Sequence, residues 1–334
     1  MMEAAKASSG LNLVVMIPAL NEQETIADVI RAIPAEIPGV RTIRAVVIDD
    51  GSTDSTGQRS LAVGARVVRH GARKGVGAAF QTGIAEALAL GANLIVSIDA
   101  DGQFDPQTIP DLVAPVVAGE ADFTTASRFA DPALTPEMPA MKLWGNRMMS
   151  RLISRLIGQR FHDVSCGMRC YNHRAAISLN TIGSFTYTQE VFLNLAFKRL
   201  RMLEVPIRVQ GQRTHGKSRV AGNLWRYAIN TSTIILRAYR DYCPMRFFGK
   251  LALAAILPAI ALEIFLLVHY LLTGALSPHK WAGFTGAVLF ALGLLSLHMG
   301  IIGDMLNRHR IYLEEVLYFQ RKNNKVKASG QDEP

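Results

Sequence analysis

Two nearly uninterrupted apolar runs, residues 251–272 and 281–302, constrain this chain of 334 residues more than any other feature. Each is 22 residues long, and about 20 helical residues cross the hydrocarbon core of a bilayer. In lipid the backbone must satisfy its own hydrogen bonds, so both runs read as helices. Ser277, Pro278, His279 and Lys280 between them make a tight connection, and the pair reads as a hairpin. Arg246 and Lys250 precede the first run, and Arg308 and Arg310 follow the second. The positive-inside rule then puts both ends of the hairpin in the cytoplasm. The alternative is the buried hairpin of a soluble protein, against which stand the length and close pairing of the runs. Glu263 falls mid-run, where a carboxylate is costly. His298 sits at a level about 12 Å away along the hairpin. Glu263 is therefore read as a protonated carboxyl or a contact to a second copy, and a homo-oligomer is expected.

The rest of the chain divides by composition. Residues 1–10 are small and polar without an apolar core, so they read as a disordered N-terminus and not as a signal peptide. Residues 11–222 read as a folded α/β domain, 223–249 as a juxtamembrane helical region, 250–304 as the two spans and 305–334 as a cytoplasmic tail. The net charge of +9 is unevenly spread. Residues 1–130 carry 10 Lys/Arg against 15 Asp/Glu, 131–240 carry 17 against 5, and 241–334 carry 9 against 7. An acidic third beside a basic middle does not fit a uniform nucleic-acid binder, and no nucleic-acid partner is expected. It fits a metal site beside a surface that meets anions or anionic lipid. Cys166, Cys170 and Cys243 form no Cys-x-x-Cys pair and read as free thiols in a reducing compartment.

The first half alternates strand and helix. Strands are expected at 13–17, 45–48, 65–68 and 94–98, and helices at 25–32, after Asp54, from Lys74-Gly75 to about residue 90, and from Asp105-Pro106 onward. Such alternation builds a mostly parallel sheet with helices on both faces. Ligands of these sheets bind at the carboxyl ends of the strands. Three of the strands end in small, polar, acidic loops: Asn21-Glu22, Asp49-Asp50-Gly51-Ser52 and Asp99-Ala100-Asp101-Gly102-Gln103. Two carboxylates two residues apart suit a hard divalent cation, which takes one or two carboxylates and fills its remaining positions with water and phosphate.

From Pro139 the pattern changes. Residues 142–157 read as one helix, with Arg147, Arg151 and Arg155 along one face and Trp144, Met148, Leu152 and Leu156 along the next. A basic stripe beside an apolar one marks a helix lying on a membrane surface. The competing reading is a surface helix with its apolar side in the core. Residues 224–248 mix Trp225, Tyr227, Tyr239 and Tyr242 with Arg226, Arg237 and Arg240, as anchors at headgroup level do.

Taken in order, Pro18-Ala19-Leu20-Asn21-Glu22, Val47-Ile48-Asp49-Asp50-Gly51-Ser52-Thr53-Asp54, Lys74-Gly75, Asp99-Ala100-Asp101-Gly102-Gln103, Ser127-Arg128-Phe129, Asp163-Val164-Ser165-Cys166-Gly167-Met168-Arg169 and Gly216-Lys217-Ser218 resemble the family 2 glycosyltransferases of the GT-A fold. The likeness is greatest to the polyprenyl-phosphate glycosyltransferases of the dolichol-phosphate mannose synthase type. Seven elements in order make a specific match over residues 13–220. Cys166-Gly167-Met168-Arg169 departs from the more usual Ser-Gly-Phe-Arg, conservatively in size. The Gln-x-x-Arg-Trp signature of processive synthases is absent from the sequence, which argues for a single transfer.

The resemblance implies a Rossmann-like GT-A sheet and an inverting, metal-dependent transfer from a GDP- or UDP-linked sugar to an undecaprenyl or dolichyl phosphate. It implies a nucleotide-sugar site of Pro18, Ala19, Asn21, Glu22, Asp50, Lys74, Gly75, Asp99, Ala100, Asp101 and Gln103. Asp99, Asp101 and Gln103 would carry Mg²⁺ or Mn²⁺, with Asp101 the direct ligand. Arg128, Arg147, Arg213 and Lys217 would clamp the acceptor phosphate, since Arg meets phosphate bidentately. Asp163 is the first choice to orient the acceptor or act as base, and Glu190 the second. Asp163 could equally be a structural partner of Arg169 or Arg147. A phosphate monoester, with a second pKa of about 6, is already anionic at neutral pH and needs little base catalysis. A hydroxyl acceptor on a glycolipid or glycan would need a true base. A non-enzymatic reading, a membrane scaffold that binds nucleotide sugar, is opposed by the intact acidic and basic set.

Overall fold

The computed structural model describes residues 10–180, 188–210, 232–233, 236–237 and 239–329, with side chains through 320. The expectation for residues 1–9 lies outside them. The chain forms two compact units, Met1–Thr231 with Tyr318–Pro334, and Ser232–Leu317.

In the first unit the strands are β1 (Leu11–Ala19), β2 (Val40–Asp49), β3 (Arg66–Arg69), β4 (Leu94–Ser97), β5 (Phe123–Ser127), β6 (Arg169–Asn172) and β7 (Met202–Pro206). The helices are α1 (Ile26–Arg31), α2 (Thr56–Ala62), α3 (Val76–Ala89), α4 (Ile109–Val117), α5 (Ala140–Ile157), α6 (His173–Ser178) and α7 (Thr188–Phe197). The strands make one sheet in the order β3-β2-β1-β4-β6-β5-β7. All neighbours are parallel except the two pairs that include β6. The expected α/β class holds, and the four anticipated strands are β1 to β4. β6 is only four residues, Arg-Cys-Tyr-Asn, too short to show a period.

Helices on both faces explain why Leu13–Ile17 and Val46–Ile48 are apolar without alternation and at most 1% exposed. Full burial of each such side chain contributes about 1.5–3 kcal/mol. The parallel strands bring the loops after β1, β2, β4 and β5 to one edge of the sheet. Antiparallel β6 starts at that same edge, because Ser97 pairs with Arg169. The segment 163–168 therefore arrives beside the loop after β4.

In the second unit α8 (Pro244–Thr273) and residues 280–317 of α9 (Lys280–Ser329) form a hairpin. Within Pro244–Thr273 and Lys280–Gln320 the 18-residue apolar windows have mean hydropathies of 2.6 and 1.9, and both helices are long and apolar enough to cross a membrane. The seam is built from glycines of α9. Gly283 meets Leu266, Gly286 meets Glu263, Gly293 meets Ile256, Gly300 meets Met245 and Phe248, and Gly303 meets Pro244. A methyl at Gly286 would fall 2.6 Å from Glu263 Oε1. Small residues let helix backbones approach closely where no hydrophobic force drives association. Ser296 Oγ donates to the Phe248 carbonyl across the seam at 3.0 Å. Glu263 thus lies against Gly286 inside its own hairpin, and the residue is exposed.

Two boundaries differ from expectation. α8 begins at Pro244, so residues 244–249 belong to the first long apolar helix; 223–231 lie outside the described residues. α9 runs unbroken to Ser329, past the expected end of the span at 304. Helix continues because no Gly or Pro interrupts residues 304–329.

Candidate active site

The loops after β1 and β2 are stapled together. Asn21, at φ +50°, donates its backbone N–H to Ser52 Oγ (2.9 Å) and accepts the Thr53 N–H on Oδ1 (2.8 Å). The Glu22 N–H reaches Thr56 Oγ1 (2.8 Å), and the Gln23 N–H reaches Asp54 (3.3 Å). Asp54 also accepts the Thr56 N–H (3.0 Å) as α2 begins. Thr25 Oγ1 donates to the Ala100 carbonyl (2.7 Å), tying this pair of loops to the turn after β4.

Asp50 is buried and organises the next arm. Its carboxylate accepts the N–H groups of Lys74 (2.9 Å) and Gly75 (2.8 Å) and meets His70 Nδ1 at 2.8 Å. Burial acts to raise the Asp50 pKa; the bonds from His70, Lys74 and Gly75 outweigh it and hold the carboxyl below its ordinary 3.8. Lys74 itself is exposed.

The turn after β4 carries Asp99, Ala100, Asp101 and Gln103. Asp101 is buried, and its Oδ1 accepts the Gln103 N–H at 3.1 Å. Gly102, at φ +73°, takes a backbone conformation that favours glycine. Asp99 lies against Gly167, where a methyl would fall 2.6 Å from Oδ2. The segment after β7 covers this turn: Gln103 Nε2 donates to the Gln210 carbonyl (3.3 Å), and the Gln210 N–H donates to that of Gln103 (3.0 Å).

Opposite stands a buried ion pair. Arg128 binds Asp163 bidentately, Nε to Oδ2 at 2.6 Å and Nη2 to Oδ1 at 2.9 Å. The Arg128 N–H (3.3 Å) and the Ser165 N–H (3.0 Å) complete the carboxylate's four acceptor positions. Burial opposes the Arg128 charge, but Asp163 outweighs it, with a smaller push from Asp99, and the guanidinium stays protonated. Glu204 on β7 holds the preceding backbone, accepting the N–H groups of His162 and Asp163. Asp163 is therefore paired with Arg128 and not with Arg169 or Arg147. Arg169 donates to the carbonyls of Cys166 (2.9 Å) and Val164 (3.1 Å) and stacks 5.0 Å over Phe192, bracing the same loop from below. Burial, then Asp163, pushes the Cys166 thiol up to about 12, so it is no nucleophile.

Helix α5 packs Ser150 and Ser154 onto this loop, at Val164 and Phe161. Its other side is open: Met141, Trp144, Met148 and Leu152 are 66, 60, 54 and 41% exposed, so the apolar stripe is not buried in the core. Arg147, Arg151 and Arg155 are exposed too, while Leu156 is half-buried. Glu190 is half-buried in the first turn of α7. Arg213 and Lys217 lie outside the described residues. Pro18 and Ala19 close β1 at the site edge.

Residues 14–179 match the model of the glycosyl transferase family 2. The polyprenol monophosphomannose synthase of Mycolicibacterium smegmatis is 30% identical over 64% of this chain and 83% of its own. The chain belongs to glycosyl transferase family 2. The undecaprenyl-phosphate 4-deoxy-4-formamido-L-arabinose transferase of Salmonella paratyphi A is 25% identical and aligns over 91% of this glycosyltransferase and 93% of itself. The fold is also that of glucosyl-3-phosphoglycerate synthase from Mycobacterium tuberculosis, solved with Mn²⁺, uridine-diphosphate-glucose and phosphoglyceric acid, at a TM-score of 0.55 and 24% identity over 73% of this chain and 83% of that one.

The acidic turn of this glycosyltransferase fits a divalent cation of a particular kind. Among the described residues no three His, Cys, Asp or Glu side chains come together. Asp99, Asp101 and Gln103 share one turn, which suits a hard cation that completes its shell with phosphate oxygens and water. It does not suit a closed structural metal site.

His70, Thr25 and Glu204 escaped the sequence reading. Each acts through a hydrogen bond to a residue at least 20 positions away, which leaves no local pattern.

Proposed function

We propose that this glycosyltransferase moves one sugar from a nucleotide diphosphate sugar to a polyprenyl phosphate at a membrane surface. The carrying observation is the saturation of Asp163: all four acceptor positions are taken by Arg128 and Ser165. A carboxylate so committed is a poor general base, and a hydroxyl acceptor needs one. A phosphate monoester brings its own anionic oxygen at neutral pH, with a second pKa of about 6. The names of the mycobacterial and Salmonella relatives support the same acceptor class.

In this reading Pro18, Ala19, Asn21, Glu22, Asp50, Lys74, Gly75 and Ala100 shape the nucleotide side. Asp99, Asp101 and Gln103 would hold Mg²⁺ or Mn²⁺, which neutralises the diphosphate as it leaves. Arg128 is pre-oriented by Asp163, so it presents positive charge to the acceptor phosphate without reorganising. Arg147, on the α5 turn before Ser150, is the second cation, with Arg213 and Lys217 assigned to the same role. Attack from the face opposite the leaving diphosphate inverts the anomeric carbon. The open face of α5 lies on anionic lipid, and the α8–α9 hairpin spans the bilayer with both ends cytoplasmic.

The test is transfer by the full chain in membranes, with Mg²⁺ or Mn²⁺, a panel of UDP- and GDP-sugars, and undecaprenyl or dolichyl phosphate. A lipid-linked sugar of inverted configuration is expected. No product on polyprenyl phosphate across the panel, with product on a hydroxyl glycolipid, overturns the reading.

A further inference from the structure

His70 follows the edge strand β3 and is only 6% exposed. Its ring sits between two elements that carry no other link through it: Nδ1 meets Asp50 Oδ1 at 2.8 Å, and Nε2 meets Thr82 Oγ1 on α3 at 3.0 Å. The ionised Asp50 carboxylate only accepts, so Nδ1 carries the proton that faces it, and Nε2 shares a hydrogen bond with the Thr82 hydroxyl. The two bonds fix the orientation of the ring.

The same carboxylate receives the N–H groups of Lys74 and Gly75. Gly75, at φ +98°, opens α3. Gly51, at φ +79°, brings the β2 turn so close that a methyl there would fall 2.9 Å from the Arg73 nitrogen. The arm 71–74 is exposed along its length and is anchored at Asp50 and Gly51. His70 thus orients the carboxylate on which the arm hangs, and Thr82 orients His70.

We infer that His70 is a positioning residue for the nucleotide: by locking Asp50 it holds the Lys74–Gly75 turn in its receiving geometry, and so sets affinity for the nucleoside diphosphate without touching it. This rests on the nucleotide-sugar reading above. Its signature is a split between binding and turnover. Slackening the arm weakens donor binding, whereas the acidic turn after β4 and the Arg128–Asp163 pair keep their own supports.

The experiment uses the full chain in nanodiscs and measures UDP and GDP binding with Mg²⁺, donor KM, kcat and Tm. His70→Leu is expected to raise Kd and donor KM about tenfold while kcat stays within about twofold. His70→Asn keeps an N–H for Asp50 and is expected to recover Kd to within about threefold of wild type. Thr82→Val removes only the outer bond and is expected to raise Kd about two- to fivefold. Three results overturn the inference: a wild-type Kd in folded His70→Leu, equal loss in His70→Asn and His70→Leu, or an unchanged Kd in Thr82→Val. The last still decides if His70→Leu does not fold. If wild type binds neither nucleotide, the donor reading falls and takes this inference with it. If wild type binds and the variants match it, only this inference falls.

Discussion

The two sides of the site are built in opposite ways. On the β1–β2–β4 side, polar loops are stapled by hydrogen bonds, one at a time at Thr25 and three to one carboxylate at Asp50. On the β5–β6–β7 side, a cation and a carboxylate are buried together and braced by Glu204 and Arg169. A loop held by several modest bonds can yield to a bound nucleotide one bond at a time. A buried ion pair cannot yield without exposing an unpaired charge. The first design suits an adaptable ligand pocket and the second a fixed electrostatic wall.

The ion pair is where this difference can be broken most severely. Arg128→Met or Asp163→Asn should cost about 3–5 kcal/mol of stability, and the double variant less than the sum. Denaturant midpoints read this; additive losses would mean the pair is not a unit. The residual activity of Asp163→Asn should follow the wild-type pH profile between about pH 6 and 8. Loss of an ionisation from that profile would make Asp163 a base.

Next in size is the acidic turn. Asp101→Asn should lower kcat by about 10²–10³-fold with Tm nearly unchanged. Wild-type rates after chelation would remove the metal from the reading. Gly167→Ala should act across the two sides, because its methyl would displace Asp99. About a tenfold rise in the metal concentration needed for half-maximal rate is expected, and an unchanged requirement would separate the two sides entirely.

Smaller effects belong to the periphery. Arg151→Gln with Arg155→Gln should weaken the α5 contact with anionic lipid by about 1 kcal/mol per charge. In nanodiscs, Trp144 fluorescence in a Trp225→Phe, Trp281→Phe background should be quenched by brominated anionic lipid, and less so after those changes. Quenching by aqueous iodide alone would lift α5 off the bilayer. The smallest effect concerns Asp50. Its carboxyl is held below 3.8 in the fold, so it stabilises above that value and the contribution is lost as pH falls through the folded pKa. Asp50→Asn should flatten the stability curve below about pH 4 and leave its neutral slope unchanged.

The strand ends that carry the candidate site were legible before the structure. β1, β2 and β4 are apolar runs that stop at acidic or amide residues, and Asp99, Asp101 and Asp50 could be named from that punctuation. The two long apolar helices were legible from length and hydropathy, and both are long and apolar enough to cross a membrane. The partner of Asp163 was not legible. It lies 35 residues away, and the sequence offered Arg169 and Arg147 as readily as Arg128. Glu263 lies against Gly286 on the other helix of the hairpin, a proximity no local pattern expresses.

Local chemistry, then, settled what each element is: strand or long apolar helix by hydrophobic period and run length, turn by glycine and aspartate. Those properties act within a few residues, so a sequence expresses them directly. Tertiary structure alone decided which charges meet. The antiparallel entry of β6 brings Gly167 to Asp99, and the loop before it brings Asp163 to Arg128. Such pairings depend on strand order, and strand order is fixed by the packing of the whole sheet and not by any one segment of it.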